Sequence, residues 1–120
     1  MIKITLKDHR AVSWNKIYAQ GHWTTRKKLA DEIHFRVKIA CKGVKRISKR
    51  VDILIVAMFK GKRALDSSNI CLKLYEDGLV KAGVIDDDSP KYVRMVTSES
   101  VPEMKKDSVN IFIDKVPDQL

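Results

Sequence analysis

One run constrains the fold more than any other: Val51 to Phe59, VDILIVAMF, is apolar at every position except Asp52 and rich in branched side chains. Bounded by KRISKR before it and KGKR after it, the run reads as a central strand of a sheet, covered on both faces. A lone strand is not stable in water, and the rest of the chain supplies its neighbours. Ile2, Ile4 and Leu6 alternate with Lys3, Thr5 and Lys7, the period of a strand with one buried face. Tyr92 to Val96 and Val109 to Ile113 alternate in the same way, joined by a polar connection containing Pro102.

Two stretches carry helical spacing instead. In TRKKLADEIHFRVKIACKG, Leu29, Ile33, Val37 and Ala40 to Cys41 make one stripe while Lys27, Lys28, Asp31, Lys38 and Lys42 fall elsewhere. That pattern predicts a helix capped by Thr24 or Thr25 and ended near Gly43. A second helix is predicted over Ser68 to Ala82, with Ile70 or Cys71, Leu74, Tyr75, Gly78, Leu79 and Ala82 on its apolar side and Gly83 at its end. The segment SWNKIYAQGHWTT, Ser13 to Thr25, has no clean period. The order β-α-β-α-β-β describes one α+β domain over residues 1–120, a mixed sheet with two helices packed on it.

Twenty-four Lys and Arg against 15 Asp and Glu give a formal net charge of +9. An anionic partner follows, nucleic acid ahead of a membrane surface, because no polybasic tail or hydrophobic anchor is present. No apolar run approaches the roughly 20 residues of a membrane span. Cys41 and Cys71 lack CxxC spacing and read as small core residues of a reduced, cytoplasmic protein. Phosphate contacts are expected from Arg26, Lys27, Lys28, Lys45, Arg46, Lys49, Arg50, Lys60, Lys62 and Arg63, not all on one face; each alone reads equally as a solubilising charge. Trp14, Tyr18, His22 and Trp23 either stack on opened bases or fill core and interface, and packing is the favoured role. His22 and His34 have no partner spacing that suggests metal or nucleophile chemistry.

Against this basic background stand three consecutive aspartates, Asp86, Asp87 and Asp88, in GVIDDDSPKYV. Adjacent carboxylates repel and are tolerated where water solvates them or a cation sits among them. A solvated turn is one reading. A sparse acidic pair ringed by Lys and Arg is also the composition of a phosphodiester-cleaving site, because a divalent ion inverts the local field that would otherwise repel a polyanion. Asp66, just before SSN, reads either as an N-cap or as a metal ligand. Asn69, Lys73 and Asp77 stand at i, i+4 and i+8, which is either an exposed face or one polar stripe aimed at a site.

The stretch LDSSNICLKLYEDGLVKAGVIDDDSPKYV resembles the core of the RusA-like Holliday-junction resolvases, small dimeric endonucleases often encoded by phages and prophages. SWNKIYAQGHW is similar to the family's PPS.N..Y segment. The family pattern runs D-x-D-N, a lysine one turn on, D-A-L, K-A-G and a closing D-D. Lys73 matches the lysine, Asp77 and Leu79 the D-A-L, Lys81 to Gly83 the K-A-G, and Asp87 and Asp88 the closing pair. The departure is at the first motif: LDSSN carries one aspartate, so Asp66 and Asn69 fit only with an insertion, and a serine takes one acidic position.

The resemblance implies a homodimeric endodeoxyribonuclease that resolves four-way DNA junctions in recombination and repair. It implies magnesium, or manganese, held by Asp66, Asp87 and Asp88, with Lys73 offsetting transition-state charge and Asn69 and Asp77 in support. Asp86 is left outside the ligand set. A helix from Ser68 to Ala82 separates its ends by roughly 20 Å. Asp66 and Asp88 therefore share a centre only if the chain after Gly83 folds back or a dimer joins the two ends. The alternative function is a non-catalytic basic nucleic-acid-binding module whose acidic turn is structural.

Overall fold

A computed structural model describes residues 1–19 and 22–117, Tyr18 and Ala19 by their backbone only. Its elements are β1 (Ile2–Lys7), α1 (Trp23–Ala40), β2 (Val51–Lys60), α2 (Leu72–Lys81), β3 (Val93–Met104) and β4 (Ser108–Lys115). The strands form one mixed sheet in the order β1-β4-β2-β3, with β2 and β3 parallel and the other two pairs antiparallel. The expected α+β class, with two main helices, is the one observed.

VDILIVAMF is the interior strand β2, but it is covered by helices on one face only. Val51, Ile53, Ile55, Ala57 and Phe59 are at most 1% exposed and join Ile33, Val37, Leu74, Tyr75 and Leu79 of the helices in one core. Asp52, Leu54, Val56 and Met58 on the other face are only half-buried. Near-continuous hydrophobicity therefore marks a strand with neighbours on both edges here, not one sandwiched between two layers.

Two boundaries differ from expectation for identifiable reasons. β3 runs straight through the presumed connection and past Pro102. Proline is tolerated there because β3 lies at the edge of the sheet, where its missing N–H costs no ladder bond. The register with β2 also shifts between Met58 and Lys60, and Glu103, at φ +61°, donates its N–H to Gly61 O at 2.6 Å. The chain then crosses the end of β2, where Asp107 Oδ1 accepts the Lys60 N–H at 2.8 Å.

α1 starts two or three residues earlier than capping by Thr24 or Thr25 predicts. His22 occupies the N-cap position without a capping side-chain bond, its Nδ1 lying 3.0 Å from Thr24 Oγ1. α2 starts four residues later than predicted. Ser67–Asn69 form a 3₁₀ turn, and Ile70 and Cys71 are drawn into the core as an extended link, with the Cys71 N–H donating to Val12 O at 2.8 Å. The two helices approach closely at Gly78, where a Cβ would sit 3.0 Å from the Val37 side chain.

Candidate functional site

The site begins at the end of α2. Gly83, at φ +78°, turns the chain while its N–H bonds Val80 O and the Val84 N–H bonds Leu79 O, both at 3.0 Å. Val84 and Ile85 plug into the core, and Ile47 N–H donates to Val84 O at 2.8 Å. The loop is thereby pinned back along α2, and the three aspartates emerge from a fixed anchor. The fold-back within one subunit brings Asp88 to Lys73 and not to Asp66.

Each aspartate has its own partner. Asp86 pairs with Arg46 at 3.0 Å. Asp87 Oδ1 accepts the Asp88 N–H at 2.9 Å. The Asp88 carboxylate bonds Lys73 Nζ, which also reaches Asp77 at 3.2 Å. The Lys73 bond holds the Asp88 carboxyl below the usual range, and the same bond, seconded by Asp77, raises Lys73 above its ordinary value. Lys73 is thus a fixed cation at neutral pH and no general base. Glu76, which sequence reasoning passed over, is half-buried beside this group, and burial pushes its carboxyl up. Its i+3 offset from Lys73 was the available signal.

The other candidates are placed differently. Asp66 precedes the 3₁₀ turn without capping it, so the N-cap reading is not realised. It lines a depression with Ala64, Leu65, Ser67, Ser98, Glu99, Ser100 and Pro102, which neither Asp87 nor Asp88 lines. Hydrogen bonds from Ser98 Oγ to Ser67 O (2.7 Å) and from Ser100 Oγ to Leu65 O hold the segment on β3. Glu99 was missed because its stretch read as a connection. Asn69 lies in the 3₁₀ turn and gives its N–H to Asp66 O at 2.9 Å, so the helical polar stripe starts at Lys73. Among the described residues, no three His, Cys, Asp or Glu side chains gather so as to hold a metal ion. Within the single chain the expected trio of Asp66, Asp87 and Asp88 is therefore not brought together.

The basic residues fall in three places. Arg26, Lys27 and Lys28 are on the first turns of α1, Lys27 paired with Asp31 at 2.9 Å. Lys45, Arg46, Lys49 and Arg50 lead into β2, and Lys60 ends it, with Lys62 and Arg63 just beyond. The ten residues of β2 set these last two groups roughly 30 Å apart. Arg46 is taken by Asp86.

Trp14 packs on the core, Trp23 is 60% exposed, and the Tyr18 side chain lies outside the described residues. Both ring nitrogens of His34 are buried without a hydrogen-bond partner among the described residues. Cys41 and Cys71 are free and buried, their thiols pushed up to about 11 by burial. Among the described residues, no helix is long and apolar enough to cross a membrane. No family model matches the chain, and no curated protein matches it either.

Proposed function

We propose that the chain is a metal-dependent endodeoxyribonuclease acting on branched DNA, a junction resolvase of the kind its α2 segment resembles. The observation that carries the reading is the fold-back that sets Asp88, with Asp87 beside it, against the fixed cation Lys73. Magnesium accepts one or two carboxylates, completing its shell with water and phosphate oxygens. Asp87 and Asp88 fit that demand and would hold the ion, which when bound supplies charge neutralisation and an acidified water. Lys73 binds a phosphate oxygen and offsets charge that grows in the transition state. Asp77 keeps Lys73 protonated and oriented. Asp66 enters as the third carboxylate implied by the resemblance, facing substrate from its own depression with Glu99.

The test is cleavage of a synthetic four-way junction against linear duplex, with and without magnesium. Cutting of the junction only with the metal is expected. Asp88→Asn and Lys73→Ala should bind the junction and fail to cut it; either variant cutting at the wild-type rate removes that residue from the site. The same result for Asp66→Asn removes Asp66.

A second reading is favoured by one observation: Arg46, the Asp88 N–H and Lys73 already satisfy all three aspartates, which suits a structural turn in a DNA- or RNA-binding module. Junction binding with no metal-dependent cutting would select it.

A further inference from the structure

β3 leaves the sheet through a bulge. Met58 pairs with Val101 but Lys60 pairs with Met104, so three steps along β3 match two along β2. One extra residue in a strand re-aims the side chains beyond it. Before the bulge, Val96, Ser98 and Ser100 pair with Ile53, Ile55 and Ala57, whose side chains lie in the core under the helices. Continued without interruption, that alternation would turn Met104 to the same side. The bulge turns it instead to the face of Lys60, opposite buried Phe59, and Met104 is 39% exposed. The crossover that follows is held in place. Glu103 N–H bonds Gly61 O, and Asp107 Oδ1 accepts from the Lys60 N–H at 2.8 Å and from Arg10 Nη1 at 3.3 Å, with the Arg10 guanidinium over the Phe59 ring. Asp107 is thereby taken, while Lys105 and Lys106 between Met104 and Asp107 are exposed. Lys7 stands at the same end of the sheet, paired with Ser108. Pro102, two residues before Met104, lines the depression that holds Asp66.

We propose that this crossover reads the branch point of the DNA: Met104 inserts between bases where the arms diverge, and Lys105 and Lys106 hold the phosphates on either side. The wedge rests on the nuclease reading for its ligand, and it adds what separates a branched substrate from a linear one. An apolar side chain entering a continuous duplex must first unstack a base step. Where arms diverge, stacking is already interrupted, and the same insertion costs less. Methionine suits the task because its flexible, polarisable side chain fills irregular gaps. The lysines supply point charges on long stems, which position phosphate without reading sequence. Lysines alone would suit any solvated loop. An exposed methionine, turned outward by a bulge and fixed by ties to Gly61, Lys60 and Arg10, is not something a solvated loop requires. None of these residues belongs to the Lys73–Asp88 group.

Binding without metal, so that no strand is cut, tests the wedge on a four-way junction carrying the fluorescent base 2-aminopurine at the branch point. A linear duplex carrying the same base at mid-length is the control. Unstacking brightens this base, so the full chain should brighten the junction and leave the duplex unchanged. Met104→Ala should abolish the rise and weaken junction binding ~10-fold with duplex binding unmoved, and Met104→Leu should restore both. Lys105→Ala with Lys106→Ala should lower the junction's slope of log affinity against log salt by about 1–2. All three side chains are exposed, so the thermal melts of these variants should match that of the unsubstituted chain. A rise that survives Met104→Ala overturns the proposal. So does an equal loss on the two DNAs, a slope unmoved by the lysine pair, or a junction that never brightens. Adding magnesium separates the wedge from the nuclease reading. A chain that cuts the junction without brightening it keeps the nuclease and loses the wedge; one that brightens it through Met104 and never cuts keeps the wedge and loses the nuclease.

Discussion

His9 is 8% exposed, and its Nε2 lies 2.8 Å from Tyr75 Oη. The Val12 N–H donates to that same oxygen at 3.4 Å, so the tyrosine hydroxyl is left to donate to a neutral imidazole. Burial, with the Arg36 charge adding to it, lowers the pKa of His9 from 6.5 to about 4. A depressed folded value means that the unfolded chain binds the extra proton between those limits, so stability present above pH 6.5 is lost as pH falls to about 4. The loss should reach about 3 kcal/mol, read from denaturant midpoints across that window, and should shrink in His9→Gln. A residual slope in the variant is expected from His34, which burial also lowers. A midpoint that does not move between pH 6.5 and 4 would contradict the buried neutral state. Nothing in KDHR announced this pair, because it depends on where residue 75 lands. The aspartate triplet is the contrast: like-charge repulsion left water or a cation as its alternatives, and it took the fold to set Arg46 beside Asp86 and Lys73 beside Asp88.

Between elements, the helix pair is set by the smallest residue on α2. Alanine at Gly78 should favour the helix by roughly 1 kcal/mol on propensity. Its Cβ, however, would meet Val37 Cβ and Cγ2 at 3.0 Å, and crowding of that kind costs ~1–3 kcal/mol. Val37 is branched and fully buried, so it cannot swing away, and Gly78→Ala should lower the melting temperature. In a Val37→Gly background, where the facing Cβ and Cγ2 are both gone, the same change should raise it, and failure of the sign to reverse would mean that the helices do not touch there. The apolar periodicity of both helices was readable, because a stripe is a local pattern. Their starts were not: Ile70 and Cys71 fit a helical stripe equally well, but the tie from Cys71 N–H to Val12 O pulls them out of α2. β3 was cut short for a related reason, since a proline breaks an interior strand yet not an edge strand, and sequence does not say which strand is the edge.

At the scale of the whole molecule, the charge of +9 is not one patch. Groups at the two ends of β2 stand roughly 30 Å apart, a distance that diverging arms of branched DNA can bridge and that one short helical contact does not. If both ends touch phosphate, each contributes separately to counterion release, at about 0.9 in the slope of log affinity against log salt per phosphate neutralised. Lys45→Ala with Arg50→Ala at one end, and Lys60→Ala with Lys62→Ala at the other, should each reduce the junction's slope by about 1–2, and the combined variant by their sum. Arg46→Ala should change the slope least, because its guanidinium is already spent on Asp86, and should instead loosen the turn that holds Asp88 against Lys73. That separation follows from the ion pairs alone. An Arg46 effect as large as that of Lys60 and Lys62 would mean that the acidic turn releases its cation when DNA arrives, and a slope unmoved by one whole cluster would confine binding to the opposite end of the sheet.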